Sequence, residues 1–218
     1  MKFSKLIYGA AVVGALAFAG AAQASNIVVN GSFEDPVVAS GTYIWTDDLY
    51  GWTIDGDKKV EVRNNVVGAA YDGNNYVELD SDIGNMSIWQ TLNTVIGQAY
   101  QITFAYSPRM NQPASTNPIA VTWNGTALPG SPFTGTGGPS GNNWVIYTFN
   151  VVADSIASTL KFTASGTSDT LGGGIDAVSV SAVPLPGAAL LFGSALLGAG
   201  VLRKRKAANE TGADELAA

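Results

Sequence analysis

The 218-residue chain contains no cysteine and no histidine. Without cysteine there can be no disulfide, no thiol nucleophile and no thiolate-held metal. An exported domain built this way must hold together through its core or through a metal bound by oxygen ligands. Without histidine there is no Ser-His-Asp or Cys-His site, no His-ligated zinc, and none of the commonest general base. Cations are also scarce. Between Ser25 and Ala182 five Lys and Arg (Lys58, Lys59, Arg63, Arg109, Lys161) face fourteen Asp and Glu, a net charge of −9; the other six basic residues lie at the two ends of the chain. Nucleic acid is therefore not an expected partner, since phosphate backbones are held by clustered Lys and Arg. Calcium or neutral sugars suit such a surface. Only three glutamates, Glu34, Glu61 and Glu78, occur in this stretch, and none sits in a recognisable catalytic motif.

The hydrophobic runs are at the ends. Met1–Ala24 has a basic start (Lys2, Lys5), an apolar stretch from Leu6 to Ala22, and Ala22-Gln23-Ala24 as an Ala-x-Ala site, with cleavage expected between Ala24 and Ser25. That is the pattern of a secretory signal peptide. Val183 to Leu202 carries no charge over 20 residues. As a helix it spans about 30 Å, the thickness of a bilayer core. Arg203, Lys204, Arg205 and Lys206 follow and belong on the cytoplasmic side. Ala207–Ala218 is expected to be a disordered tail.

The segment VPLPGAALLFGSALLGAGVLRKRK, with Val183, Pro184, Leu185 and Pro186 followed by an apolar helix and a basic cluster, resembles the PEP-CTERM sorting signal in its VPLP form. The resemblance implies an inner-membrane exosortase as partner, at least transient membrane insertion, and delivery to the cell surface or extracellular matrix. Leu185 stands where the commoner form has glutamate, and Ala207–Ala218 extends beyond the usual end.

Residues 25–182 suit one domain with a sizeable core. Candidate strands are Ile27–Asn30, Thr42–Thr46, Lys59–Val62, Asn75–Leu79, Ser87–Leu92, Tyr100–Tyr106, Ile119–Trp123, Trp144–Val151, Thr159–Thr163 and Gly174–Ser181. They are rich in Val, Ile, Thr and aromatics and are separated by Gly, Asn, Asp and Pro. Tyr100, Ile102, Phe104 and Tyr106 alternate with smaller or polar residues, as do Val145, Tyr147, Phe149 and Val151. A period of two means one buried face. No useful helical period occurs here. The expected fold is all-β, an antiparallel β-sandwich of jelly-roll type. Ser107–Pro118 and Pro129–Asn143 read as loops.

Asn30-Gly31-Ser32-Phe33-Glu34, then Gly51-Trp52, Tyr76–Leu79, Gly97–Phe104 and a closing Ile175–Val180 strand occur in the order found in galactose-binding-like jelly rolls, which include many carbohydrate-binding modules. The chain resembles that family across the domain. The resemblance implies a structural calcium at Glu34 and Asp176, pinning the first and last strands. Calcium does favour oxygen ligands of this kind; the alternative is that both carboxylates are surface or turn-capping residues. Asp55, Asp57, Asp72, Asp80 and Asp82 sit beside glycines or turn residues and read as local turn acceptors.

Aromatic residues are the second candidate site. Tyr43, Trp45, Tyr50 and Trp52 fall within ten residues, and Trp45 and Tyr50 flank the Asp47-Asp48 turn. Flat rings beside carboxylates suit sugar hydroxyls and C–H faces, so Trp45, Tyr50, Asp47 and Asp48 are the candidate ligand-binding residues. Trp52, Trp89 and Trp144 read as core. The expectation is a non-catalytic, surface- or matrix-sorted protein that binds or organises extracellular polysaccharide. A structural adhesion protein without sugar binding is the alternative, and a glycoside hydrolase stands third.

Overall fold

The computed structural model describes residues 25–81 and 84–184. The expected signal peptide, the sorting segment from Leu185 onward, the terminal tail and Asp82 lie outside the described residues. Within them the chain forms thirteen strands and no helix. In order these are β1 Thr42–Thr46, β2 Thr53–Ile54, β3 Val60–Asn64, β4 Tyr76–Glu78, β5 Asp80–Ser81 and β6 Gly84–Asn85. Then come β7 Ser87–Asn93, β8 Ala99–Ser107, β9 Ile119–Trp123, β10 Thr126–Ala127, β11 Val145–Val152, β12 Ala157–Ala164 and β13 Gly174–Ala182.

Two antiparallel sheets make a sandwich. One has the order β1-β3-β4-β13-β8-β11, the other β10-β9-β12-β7-β2, and β5-β6 forms a small hairpin. The alternation of side chains sorts each strand. On β8, Tyr100, Ile102, Phe104 and Tyr106 are buried; on β12, Leu160 and Phe162 meet them from the other sheet. Phe104 stands edge-on to Phe162 at 5.3 Å between centroids and to Phe133 at 5.4 Å, while Trp52 bridges Phe33 and Phe162. Burying each such ring contributes about 1.5–3 kcal/mol. This core does the work that disulfides do in many small secreted domains.

Nine of the ten expected strands occupy their places, with ends displaced by at most two residues. Ile27–Asn30 does not form a strand. Just before it Asn26 bridges to Ser181, the Ile27 N–H bonds the Val180 carbonyl, and then the backbone of Val29 is met on both sides by the Gln90 side-chain amide rather than by a ladder. The reason is local: Asn30 and Phe33 both take positive φ, and the chain turns to drop Phe33 into the core. Gly31 lies where a Cβ would stand 2.0 Å from the Val178 carbonyl, so only glycine lets the segment approach β13. Of the two expected loops, Ser107 closes β8, and residues 108–118 and Pro129–Asn143 form no strand. Phe133 makes a bridge to Ile119 and plugs the core.

Two expectations about tryptophan fail. Trp89 is half-buried on the outer face of its sheet, with the Lys161 ammonium 5.2 Å from its ring, because Ile88, Gln90 and Leu92 take the inward positions of β7. Trp144 precedes β11 and packs on the outer face against Tyr76 and Tyr71, its Nε1 donating to the Ala69 carbonyl. Trp52 is buried as expected, and so is Trp123.

Candidate functional site

The outer face of the six-stranded sheet carries four charged residues, Glu61, Arg63, Glu78 and Arg109, in an unusual place. β3 alternates Val60 and Val62 into the core with Glu61 and Arg63 outward, yet all four are buried. The neighbours explain it. β1 pairs with β3 so that Trp45 stands opposite Glu61 and Tyr43 opposite Arg63; on the other side Glu78 of β4 stands opposite Glu61. Arg63 Nε donates to Glu61 Oε1 at 2.6 Å, and Trp45 Nε1 donates to Glu61 Oε2 at 3.1 Å. Arg63 Nη1 lies 2.8 Å from Glu78 Oε2, an ion-pair contact with poor hydrogen-bond geometry. Arg109 reaches in from the loop after β8, and its Nη1 donates to Glu78 Oε1 at 2.7 Å. The Gly172 N–H donates to the same oxygen at 2.9 Å.

Above this network is a depression of about 400 Å³ lined by Tyr43, Trp45, Glu61, Arg63, Val66 and Arg109, with Ser81, Thr170 and Leu171 at its far wall. Tyr43 and Trp45 are 44% and 45% exposed and contact each other edge-on at 5.3 Å. The far wall is fixed by Asp80, whose Oδ2 accepts the N–H groups of Asp169 and Thr170 at 2.9 and 3.0 Å. Asp80 is therefore not a local turn acceptor as its sequence neighbours suggest; it bonds residues 89 and 90 positions away. Chemically the depression offers aromatic faces for apolar C–H surface and a paired carboxylate–guanidinium floor for hydroxyls, with its charges balanced within itself.

Of the four residues singled out as ligand-binding, Trp45 lines the depression. Tyr50, Asp47 and Asp48 are exposed but do not line it. Glu61, Arg63, Glu78 and Arg109 were not anticipated. The Ser107-Pro108-Arg109 loop gave no sign in the sequence, because the partner of Arg109 lies 31 residues away.

Glu34 and Asp176 both hold one turn, residues 71–75. Asp176 is fully buried; its Oδ2 accepts the N–H groups of Tyr71 and Asp72 at 2.7 and 2.9 Å, and its Oδ1 accepts that of Ala177 at 2.6 Å. A bulge in β13 between Asp176 and Ser179, with Ala177 at positive φ, turns the backbone there. Glu34 Oε1 accepts the N–H groups of Asn74 and Asn75 at 2.7 and 2.8 Å. Gly73 takes φ +66° between them, and a Cβ there would stand 2.5 Å from Glu34 Oε1. The donors around these carboxylates are N–H groups, which suit an anion and not a cation, and no three acidic side chains converge among the described residues. As placed, the pair orders the turn. Chelation with EDTA tests the calcium expected at Glu34 and Asp176: a fall of several degrees in the melting temperature supports it, and an unchanged melt counts against it.

Burial pushes the Asp176 carboxyl up to about 7 against the pull of its three N–H bonds, and pushes Glu78 up to about 7 against Arg63 and Arg109. In the unfolded chain these groups titrate near 3.8 and 4.5. Between those values and 7 the folded state binds more protons than the unfolded one. Stability is thus complete below about pH 4 for these two groups and is lost as pH rises through 7, by on the order of a few kcal/mol. The melting temperature followed by circular dichroism is expected to be higher at pH 5 than at pH 8. A value that rises with pH across that window would contradict the assignment.

No protein-family model matches the chain, and no curated protein matches it either. Solved structures do. A Stig cyclase, Fisc, from Fischerella sp. TAU, in complex with (3Z)-3-(1-methyl-2-pyrrolidinylidene)-3H-indole, superposes with a TM-score of 0.52 at 17% identity, covering 75% of this chain and all of that one. The module TmCBM61 in complex with β-1,4-galactotriose superposes with a TM-score of 0.50 at 19% identity, covering 73% of this chain and 99% of that one. At such identities the likeness is one of fold: an all-β antiparallel sandwich.

Proposed function

We propose that this chain is an exported, non-catalytic glycan-binding module, placed on the cell surface or in the extracellular matrix by exosortase-dependent sorting. The observation that carries the binding reading is the depression walled by half-exposed Tyr43 and Trp45 over the Glu61–Arg63–Glu78–Arg109 network. A sugar ring laid on the indole would bury its apolar face there while its hydroxyls meet ionised groups already held in place, so little ordering cost remains on binding. The sandwich fold shared with a module that holds β-1,4-galactotriose supports a saccharide as the ligand class. Balanced charge in the depression favours a neutral polysaccharide.

The non-catalytic reading rests on the same geometry. A glycosidase needs one carboxyl free to give a proton and another free to attack or to activate water. Glu78 accepts from Arg109 and Gly172 on Oε1 and faces Arg63 on Oε2, while Glu61 accepts from Arg63 and Trp45. Neither has an oxygen left without a partner. The Ala24-Ser25 cleavage site and the VPLP segment with its basic cluster support export and sorting.

The test is a glycan array together with a pull-down on the source organism's own exopolysaccharide, each run with and without EDTA. Binding to a neutral glycan in both conditions is expected. No binding to any glycan in either would overturn the reading and leave the structural adhesion alternative.

A further inference from the structure

The sandwich has four sheet edges, and one is unlike the others. The five-stranded sheet ends in β10 and β2, of two residues each, and the six-stranded sheet ends on one side in β1, of five. Its other end is β11, eight residues long, reading Val145-Ile146-Tyr147-Thr148-Phe149-Asn150-Val151-Val152. It contains no charge, proline or glycine, and it runs against β8 without a bulge from Val145 to Val152. Natural edges are normally shortened, charged or bulged because their free backbone groups recruit other strands. Among the described residues, nothing pairs with the outer side of β11.

The parity of the strand is fixed. The Ala153 N–H bonds the Gln98 carbonyl, so alternate residues up the ladder direct their backbone groups to β8. Ile146, Thr148, Asn150 and Val152 direct theirs to the free edge. Their side chains stand on the outer sheet face and are exposed, whereas Tyr147, Phe149 and Val151 pack on the core.

We propose that β11 is a self-association edge, and that two copies of this chain pair through it antiparallel about a two-fold axis at Phe149. A second copy fits because the outward-bonding positions match themselves under that axis. Ile146 falls opposite Val152 of the second copy and Thr148 opposite Asn150, apolar against apolar and polar against polar, the cross-strand pairs that stabilise a sheet. Asp154, the nearest acid beyond the strand, falls opposite Trp144, so no like charges meet although the domain as a whole is acidic. β1 of a second copy is a poorer match, since it is shorter and runs into Asp47-Asp48. The axis of an antiparallel pair stands perpendicular to the sheet, so both copies present their outer faces, and with them the two Trp45 depressions, to the same side. The pairing itself does not depend on the glycan reading.

The absence of native cysteine allows a register test on the full chain. Thr148→Cys and Asn150→Cys chains are prepared separately, mixed and mildly oxidised. Opposed positions bring Cβ atoms within disulfide reach, whereas Thr148 to Thr148 or Asn150 to Asn150 is a diagonal outside it. A disulfide-linked dimer is expected from the mixture, at least tenfold above either chain alone. In sedimentation, the native chain is expected to show a monomer–dimer equilibrium that Thr148→Pro abolishes, since that change removes only an outward N–H. Ile146→Lys serves the same purpose should the proline variant not fold. Equal cross-linking in all three preparations, association that survives both substitutions, growth beyond a dimer, or a native chain that stays monomeric would each overturn the proposal.

Discussion

Replacing Glu78 with alanine is expected to lower the unfolding free energy by about 3–5 kcal/mol, a large part of the stability of a domain this size. The substitution removes little apolar contact. What it leaves behind is the cost. Arg63 is buried at the floor of the depression and Arg109 is largely so; with Glu78 gone Arg63 keeps only Glu61, and Arg109 loses its carboxylate partner altogether. Gly172 also loses the acceptor of its buried N–H. A double variant, Glu78→Leu with Arg109→Met, is expected to be more stable than Glu78→Ala despite carrying one more change, because it removes both members of one ion pair, leaves Arg63 on Glu61 and fills the space with apolar volume. Chemical denaturation of both variants checks this. A double variant less stable than the single one would mean that the network adds stability beyond its own desolvation cost.

Replacing Trp45 with alanine is expected to weaken binding of whichever glycan the native chain takes by roughly 30-fold or more, about 2 kcal/mol, as for a central aromatic in a recognition site. The fold should survive, with a loss near 1 kcal/mol, because the indole is 45% exposed on an edge strand and its one hydrogen bond goes to Glu61. Trp45→Phe should fall between, keeping a ring and losing the Nε1 bond that orients it. Tyr50→Ala is the control. Tyr50 is 60% exposed, more than Trp45, but lies away from the depression, so its loss should leave affinity within twofold. Calorimetric titration of the three variants separates the sites; equal losses at Trp45 and Tyr50 would move the binding surface toward the Asp47-Asp48 turn.

Strands were legible in the sequence wherever a buried face imposed a period of two, as on β8 and β12. The first segment misled because Ile27-Val28-Val29 has strand composition, while its pairing is supplied by the side chain of Gln90, which no periodicity reports. Trp89 and Trp144 were misplaced for a different reason. A large apolar residue in a strand can face either way, and only the identity of its neighbours on the inward positions decides. Asp176 and Glu34 were picked out together, and they do act together, but on a turn some 100 and 40 residues distant from them in the chain. The charged floor was the least legible part. Its four members come from β3, β4 and a loop, and each alone looks like an ordinary solvated charge. Only the strand order, which puts β3 between β1 and β4, gathers them under Trp45.

β13 is the middle of the six-stranded sheet, gripped by β4 on one side and β8 on the other, and the chain leaves it at Val183, whose N–H is bonded to Ala99. A domain tethered beyond Val183 and pulled by something it holds near Trp45 would feel the force along the axis of that strand. Its hydrogen bonds to β8 lie across the direction of pull and must yield together, in shear. A tether leaving from an edge strand would instead peel, one bond after another, at far lower force. The rate of forced unfolding is set by the height of that barrier and not by equilibrium stability. The placement of the exit strand thus makes the sandwich mechanically stiff toward any load applied at Val183.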